Sequence, residues 1–128
     1  LIDDDSVQNM LSEAIIKMVQ PSIEIVTFEA VREALEYLKS DAKKPSIIFV
    51  DINMPYLNGW DFVKEFSKLD QEKLGRVAIN MLTSSDHEKD MEKASQFEHM
   101  MSYISKPMSK EDFSEVYNFY TTEYLVKH

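Results

Sequence analysis

The sequence has no cysteine, only two glycines and four prolines, and no long apolar run. The missing cysteines exclude disulfides, thiolate nucleophiles and Cys-ligated metals, and they fit a reducing compartment such as the cytoplasm. No stretch approaches the roughly 20 apolar residues of a membrane-spanning helix, and no signal peptide is recognisable. Basic residues are scarce as well. Fourteen Lys and Arg stand against 23 Asp and Glu, a formal charge of −9. Phosphate contacts are made mainly by Lys and Arg, so this balance speaks against general binding of nucleic acid or of a membrane surface. With no Gly-, Ser- or Pro-rich tract there is no linker. A chain of 128 residues (1–128) reads as one domain. It opens on the apolar pair Leu1-Ile2, which reads as the stump of a first strand whose start is missing.

What is present alternates between two periodicities. Val7, Met10, Leu11, Ala14, Ile15 and Met18 recur at helical spacing, with Ser6 as a candidate N-cap and Pro21 beyond the end. Ile23 to Phe28 is short and β-branched, a strand by composition. Val31, Ala34, Leu35 and Leu38 mark a second helix, ending near Lys43-Lys44-Pro45. Ile47-Ile48-Phe49-Val50 is apolar at every position, as a strand buried on both faces of a parallel sheet would be. The Asn58-Gly59 turn leads into a helix with Phe62, Val63, Phe66 and Leu69. Val77 to Leu82 reads as a strand, Asp86 to Phe97 as a charged helix with a thin apolar stripe, and Met100 to Ile104 as a weaker strand. Ser109 can cap a last helix carrying Phe113, Val116, Tyr117, Tyr120 and Tyr124. The eight Met residues fall mostly on helix faces and read as packing. Five βα repeats predict an α/β fold, a parallel five-stranded sheet with helices on both faces.

In such sheets ligands gather at the carboxyl ends of the strands. Those ends carry Asp3-Asp4-Asp5, Asp51, Thr83-Ser84 and Lys106-Pro107. Clustered carboxylates repel one another unless a cation intervenes. All-oxygen ligation suits a hard divalent ion such as Mg²⁺. A carboxylate can also attack a phosphoryl group to give an aspartyl phosphate, with a metal, a Lys and a hydroxyl orienting the transferred oxygens. The residues therefore predict a Mg²⁺-dependent phospho-acceptor aspartate.

Asp3-Asp4, Phe49-Val50-Asp51-Ile52-Asn53-Met54-Pro55 with Asn58-Gly59, Thr83-Ser84 and Lys106-Pro107 together resemble the signature of response-regulator receiver domains, the phospho-acceptor modules of two-component signalling. The resemblance implies a doubly wound, flavodoxin-like sheet of order 2-1-3-4-5. It implies Asp51 as the phosphorylated residue and Mg²⁺ (or Mn²⁺) held by Asp4, Asp51 and the Asn53 carbonyl, with Asp3 supporting. Lys106 would pair with Asp51 and the phosphoryl group, and a cis Lys106-Pro107 bond would hold the following turn. Thr83 and Tyr103 would form the switch, and Asn53 and Ser85 would tune the lifetime of the phosphate. The implied partners are a sensor histidine kinase or histidine phosphotransfer protein and a downstream protein. The downstream protein would meet the face formed by the fourth helix, fifth strand and fifth helix, where Phe119, Tyr120 and Tyr124 add aromatic area. A phosphorylation-dependent homodimer is left open. The small-residue turn that often precedes the fifth strand is replaced by Phe97-Glu98-His99-Met100.

Each motif has a plainer reading when taken alone. Asp3-Asp4-Asp5 would be an acidic run at a helix N-terminus, Thr83-Ser84 a helix cap, Lys106 a solvated loop lysine and Tyr103 a core aromatic. His87, His99 and His128 show no ligand spacing and read as surface residues. Asp51 is harder to dismiss, because an acid closing an apolar strand needs a partner. Two rivals remain. A phosphatase with an aspartyl nucleophile would carry a second acid two residues on, where this chain has Asn53. A receiver that signals without phosphate would lack the acceptor or the lysine, and this chain has both. The expected molecule is a signalling phospho-acceptor, not an enzyme with separate substrate turnover.

Overall fold

The structure, a computed structural model, describes residues 1–83 and 100–124. The expected helix from Asp86 to Phe97, Ser84, Ser85, the three histidines and the side chain of Tyr124 lie outside the described residues. Within them the order is α1 (Ser6–Val19), α2 (Val31–Lys39), β1 (Ile47–Asp51), α3 (Gly59–Ser67), α4 (Gln71–Leu74), β2 (Ala78–Thr83), β3 (Met100–Ser105) and α5 (Lys110–Phe119). A π-helical turn, Tyr120–Tyr124, continues α5.

The three strands form a parallel sheet in the order β1-β2-β3. Alternate side chains feed two separate cores, as the two-residue period of a strand requires. Ile48 and Val50 of β1 and Ile79 and Met81 of β2 pack with Val31, Leu35 and Leu38 of α2 and Phe62, Val63 and Phe66 of α3. Phe49, Leu82 and Ile104 point the other way, onto Ile16 of α1 and Phe113 and Val116 of α5. Helices thus cover both faces, which is why β1 is apolar at every position.

The five expected strands are not all formed. Among the described residues three are regular strands, and the first two expected strands shrink to isolated parallel bridges, Ile2 to Phe28 and Ile2 to Val50. Their hydrogen bonds are well formed: Ile2 N donates to Phe49 O at 2.8 Å, Asp51 N to Ile2 O at 2.8 Å and Asp3 N to Phe28 O at 3.0 Å. The reason is length. Leu1-Ile2 offers two residues to pair, and beyond the bridges the Ile23 to Phe28 segment meets them through Leu1 N to Val26 O at 2.9 Å and Phe28 N to Leu1 O at 2.8 Å.

Local chemistry sets the helix starts. Asp5, not Ser6, caps α1, accepting from the N–H groups of Val7 and Gln8. Asn58 and Asp61 form a reciprocal capping box at α3, and Ser109 and Asp112 form another at α5. The sequence reading had no α4, which Asp70 caps and Gly75 ends at φ 76°. Helix α2 stops at Lys39, four residues short of Lys43. The face of α1 is also reversed. Asn9, Ser12 and Ile16 are buried, whereas Met10 and Met18 are 66% and 64% exposed, beside exposed Val7 and Leu11. Those two methionines are not packing residues.

Candidate functional site

The site is assembled where chain leaves the carboxyl edge of the sheet. Asp3 follows the Ile2 bridge, Asp51 is the last residue of β1, Thr83 the last of β2, and Lys106 follows β3. Parallel pairing places these ends side by side: Asp51 is in register with Leu82, and Thr83 with Ser105. Lys106 N donates to Thr83 O at 2.8 Å, which brings the lysine back over the sheet edge, and the Lys106-Pro107 bond is cis.

Asp3 and Asp51 are 1% and 4% exposed, while Asp4 is open to solvent. Carboxylate oxygens of all three lie within 4.8 Å of one another. Lys106 Nζ lies 2.7 Å from Asp3 Oδ2 and 3.1 Å from Asp51 Oδ2. Two backbone amides support the carboxylates: Asp5 N donates to Asp3 Oδ1 at 3.0 Å and Asn53 N to Asp51 Oδ1 at 3.1 Å. Burial pushes the Asp51 carboxyl above its ordinary value and nearby Asp3 adds to the rise, against the opposing pull of Lys106. Burial alone would lower the Lys106 ammonium, but its hydrogen bonds to Asp3 and Asp51 prevail and raise it.

Two buried acids and one lysine leave net negative charge in a site with one exposed carboxylate. Three carboxylates and nearby carbonyls are a hard, all-oxygen donor set, so the residues fit a divalent cation such as Mg²⁺.

The structure brings together Asp3, Asp4, Asp51 and Lys106. It places Asn53 exposed, two residues past Asp51, and Thr83 fully buried at the neighbouring strand end. Tyr103 is half-buried one strand over, its ring tilted 51° against Trp60 at 6.1 Å. Ser85 lies outside the described residues.

Sequence reasoning missed three supports. Asn9 is buried, and its Nδ2 donates to Asp3 O at 3.0 Å and Phe28 O at 3.2 Å, fixing the chain at the Asp3 corner. Only a polar residue at helical spacing from Ser12 and Ile16 hinted at it. Asp5 caps α1 and so aims Asp3 and Asp4 at the site. Gly59 is more than turn chemistry. A Cβ there would fall 2.8 Å from Asp51 O and 3.0 Å from Met81 Sδ, so no side chain fits.

The chain belongs to the response regulator receiver domain family, whose model matches residues 1–118. It is 34% identical over 119 residues to the sensor histidine kinase CheAY of Helicobacter pylori, covering 90% of this chain but only 14% of that longer protein. A two component response regulator from Cytophaga hutchinsonii is similar in structure, with a TM-score of 0.86 and 33% identity over 95% of this chain and 94% of that one. A two-component response regulator from Legionella pneumophila shares the fold at 22% identity, with a TM-score of 0.81 and coverage of 94% of this chain and 95% of that one. Among the described residues no helix is long and apolar enough to cross a membrane.

Proposed function

We propose that this receiver domain is a metal-dependent phospho-acceptor, with Asp51 as the residue that takes the phosphoryl group. The observation that carries the reading is the cluster of Asp3, Asp4 and Asp51 carboxylates within 4.8 Å, with Lys106 Nζ 3.1 Å from Asp51. An Asp51 oxygen attacks the phosphorus of a phosphohistidine. One O–P bond forms, the N–P bond breaks, and the electron pair leaves on the imidazole nitrogen. Lys106 neutralises charge on Asp51 and on the incoming phosphoryl oxygens, and the Thr83 hydroxyl at the adjoining strand end is within the same edge. Asp4, Asp51 and the Asn53 carbonyl would hold the cation, with Asp3 supporting. Bound Mg²⁺ or Mn²⁺ would supply charge neutralisation to the transferred oxygens.

The donor is a sensor histidine kinase or a histidine phosphotransfer protein, acting in the cytoplasm. Thr83 and Tyr103 pass the change at Asp51 to a downstream protein, and Asn53 and Ser85 set how long the phosphate lasts. The domain turns over only its own aspartyl phosphate. The test is to incubate the protein with Mg²⁺ and a small acyl phosphate and then weigh it. The mass of one phosphoryl group should appear, and should not appear in Asp51→Asn. An unmodified wild-type mass, or a gain that persists in Asp51→Asn, overturns the mechanism. Steady release of phosphate from phosphomonoesters replaces it with a phosphatase.

A further inference from the structure

We infer that Trp60 is a positioning residue of the switch, a fixed stop against which Tyr103 rests while Asp51 is unmodified. The inference rests on the phospho-acceptor reading above and assigns a role to a residue that reading does not use.

Trp60 is the only tryptophan of the chain and stands in the first turn of α3. That turn is pinned to the acceptor. Gly59 leaves no room for a Cβ between Asp51 O, Ile52 Cα and Met81 Sδ, and its N–H donates to Ile52 O at 3.0 Å. The Asn58–Asp61 capping box fixes the same turn from its other side, with bonds of 2.8 and 3.0 Å. The backbone of Trp60 is therefore one residue from a close-packed contact with the acceptor strand.

Tyr103 belongs to a different element. It lies on β3, in register with Met81, the residue whose sulfur faces Gly59. Its ring meets Trp60 at 6.1 Å and 51°, a tilted aromatic contact. Both rings are only partly buried and rest on the rim of the same core as Met54 and Leu57. Tyr103 can therefore turn without emptying a fully packed core position, as a move of Met81 would. The pair joins a helix start locked to Asp51 and an aromatic on the strand at the sheet edge. Any displacement of Tyr103 is a displacement relative to Trp60.

A single tryptophan makes the emission of this protein a report on that contact. The protein is treated with Mg²⁺ and acetyl phosphate, and mass and tryptophan emission are followed on the same sample. Wild type should gain one phosphoryl group and change its emission in step, and Tyr103→Leu should gain the same mass and lose most of the emission change. As a second measurement, fluorotyrosine is incorporated and the Tyr103 resonance is assigned with Tyr103→Phe. Trp60→Ala should move that resonance, before any phosphodonor is added, toward its position in the phosphorylated protein. Trp60→Phe should restore the wild-type position. A mass gain with unchanged emission, an equal emission change in Tyr103→Leu, or a Tyr103 resonance indifferent to Trp60→Ala overturns the inference. A missing mass gain overturns the phospho-acceptor reading instead.

Discussion

Lys106 is held more closely by Asp3 than by Asp51: its Nζ is 2.7 Å from Asp3 Oδ2 and 3.1 Å from Asp51 Oδ2. The lysine therefore neutralises two buried acids, and Asp3 anchors it beside Asp51. Lys106→Met removes the shared cation and leaves both carboxylates desolvated. Breaking a buried pair in this way costs about 3–5 kcal/mol. The loss should be largest near neutral pH and shrink in acid, where Asp51 takes up a proton. Urea unfolding of the two proteins at several pH values measures it, and an equal loss at all pH values would contradict the shared-cation geometry.

Asp51 itself opposes folding. Its carboxyl is raised above the ordinary value of 3.8, first by burial. Between that value and the raised one, the folded protein keeps a proton that the unfolded chain has released. Stability therefore falls as pH rises through this window and stays lower above it. Lys106, also raised, gives a fall of the same sign at the alkaline end. Its pairing contributes fully below its ordinary 10.5 and is lost as pH rises through the raised value. Asp51→Asn should then be more stable than wild type near neutral pH, by about 1–3 kcal/mol for relief of a poorly solvated group. Its stability should also fall less than that of wild type over the acid window.

The same excess charge predicts stabilisation by a divalent cation. A ligand bound only to the folded state at 100 times its Kd adds about 2.7 kcal/mol. Thermal melts in increasing Mg²⁺ should rise along that curve. Asp4→Asn should flatten the rise with little effect on the metal-free protein, because Asp4 is exposed and makes no ion pair with Lys106. A full Mg²⁺ response in Asp4→Asn would remove this residue from the cation site.

Gly59→Ala inserts a methyl group 2.8 Å from the carbonyl oxygen of Asp51, a backbone atom that cannot swing aside. Overpacking of this kind costs about 1–3 kcal/mol. Because the displaced atom belongs to the proposed acceptor residue, the rate of phosphoryl uptake from a small donor should fall along with the denaturation midpoint. A stability loss with an unchanged rate would confine Gly59 to packing.

The candidate site was legible in the sequence because it rests on strand ends. An apolar run such as Ile47 to Val50 announces a doubly buried parallel strand, and the acid that closes it must then lie at the sheet edge. Asp51 could be placed by that rule, and Asp3, Thr83 and Lys106 by the wider alternation of strands and helices, although the strand before Lys106 is the weaker reading. The two missing ladders were not legible, since composition makes Ile23 to Phe28 strand-like whether or not a partner is long enough to pair with it. Gly59 was hidden for a related reason: Asn-Gly signals a turn, while its contact with Asp51 O depends on how α3 meets β1. Helix α1 shows the limit of periodicity most clearly. Its spacing marks an apolar stripe correctly but does not say which side faces the sheet.

Asn9 decides that orientation. Its side-chain amide spans from Asp3 O to Phe28 O, satisfying carbonyls at the point where two short bridges replace a ladder. Turning the Met10 face inward would bury a thioether there and take the amide donor from the Asp3 carbonyl, a cost of about 1–3 kcal/mol, while Phe28 O would keep only the Asp3 N–H. The two faces of α1 should therefore respond oppositely to substitution. Asn9→Leu should lower stability by about 1–3 kcal/mol and loosen the Asp3 corner, weakening the Mg²⁺-dependent rise in melting temperature. Met10→Lys, on the exposed face, should stay within about 0.5 kcal/mol of wild type. Paired urea titrations of the two variants check this, and a larger loss from Met10→Lys than from Asn9→Leu would restore the apolar stripe as the buried side of α1.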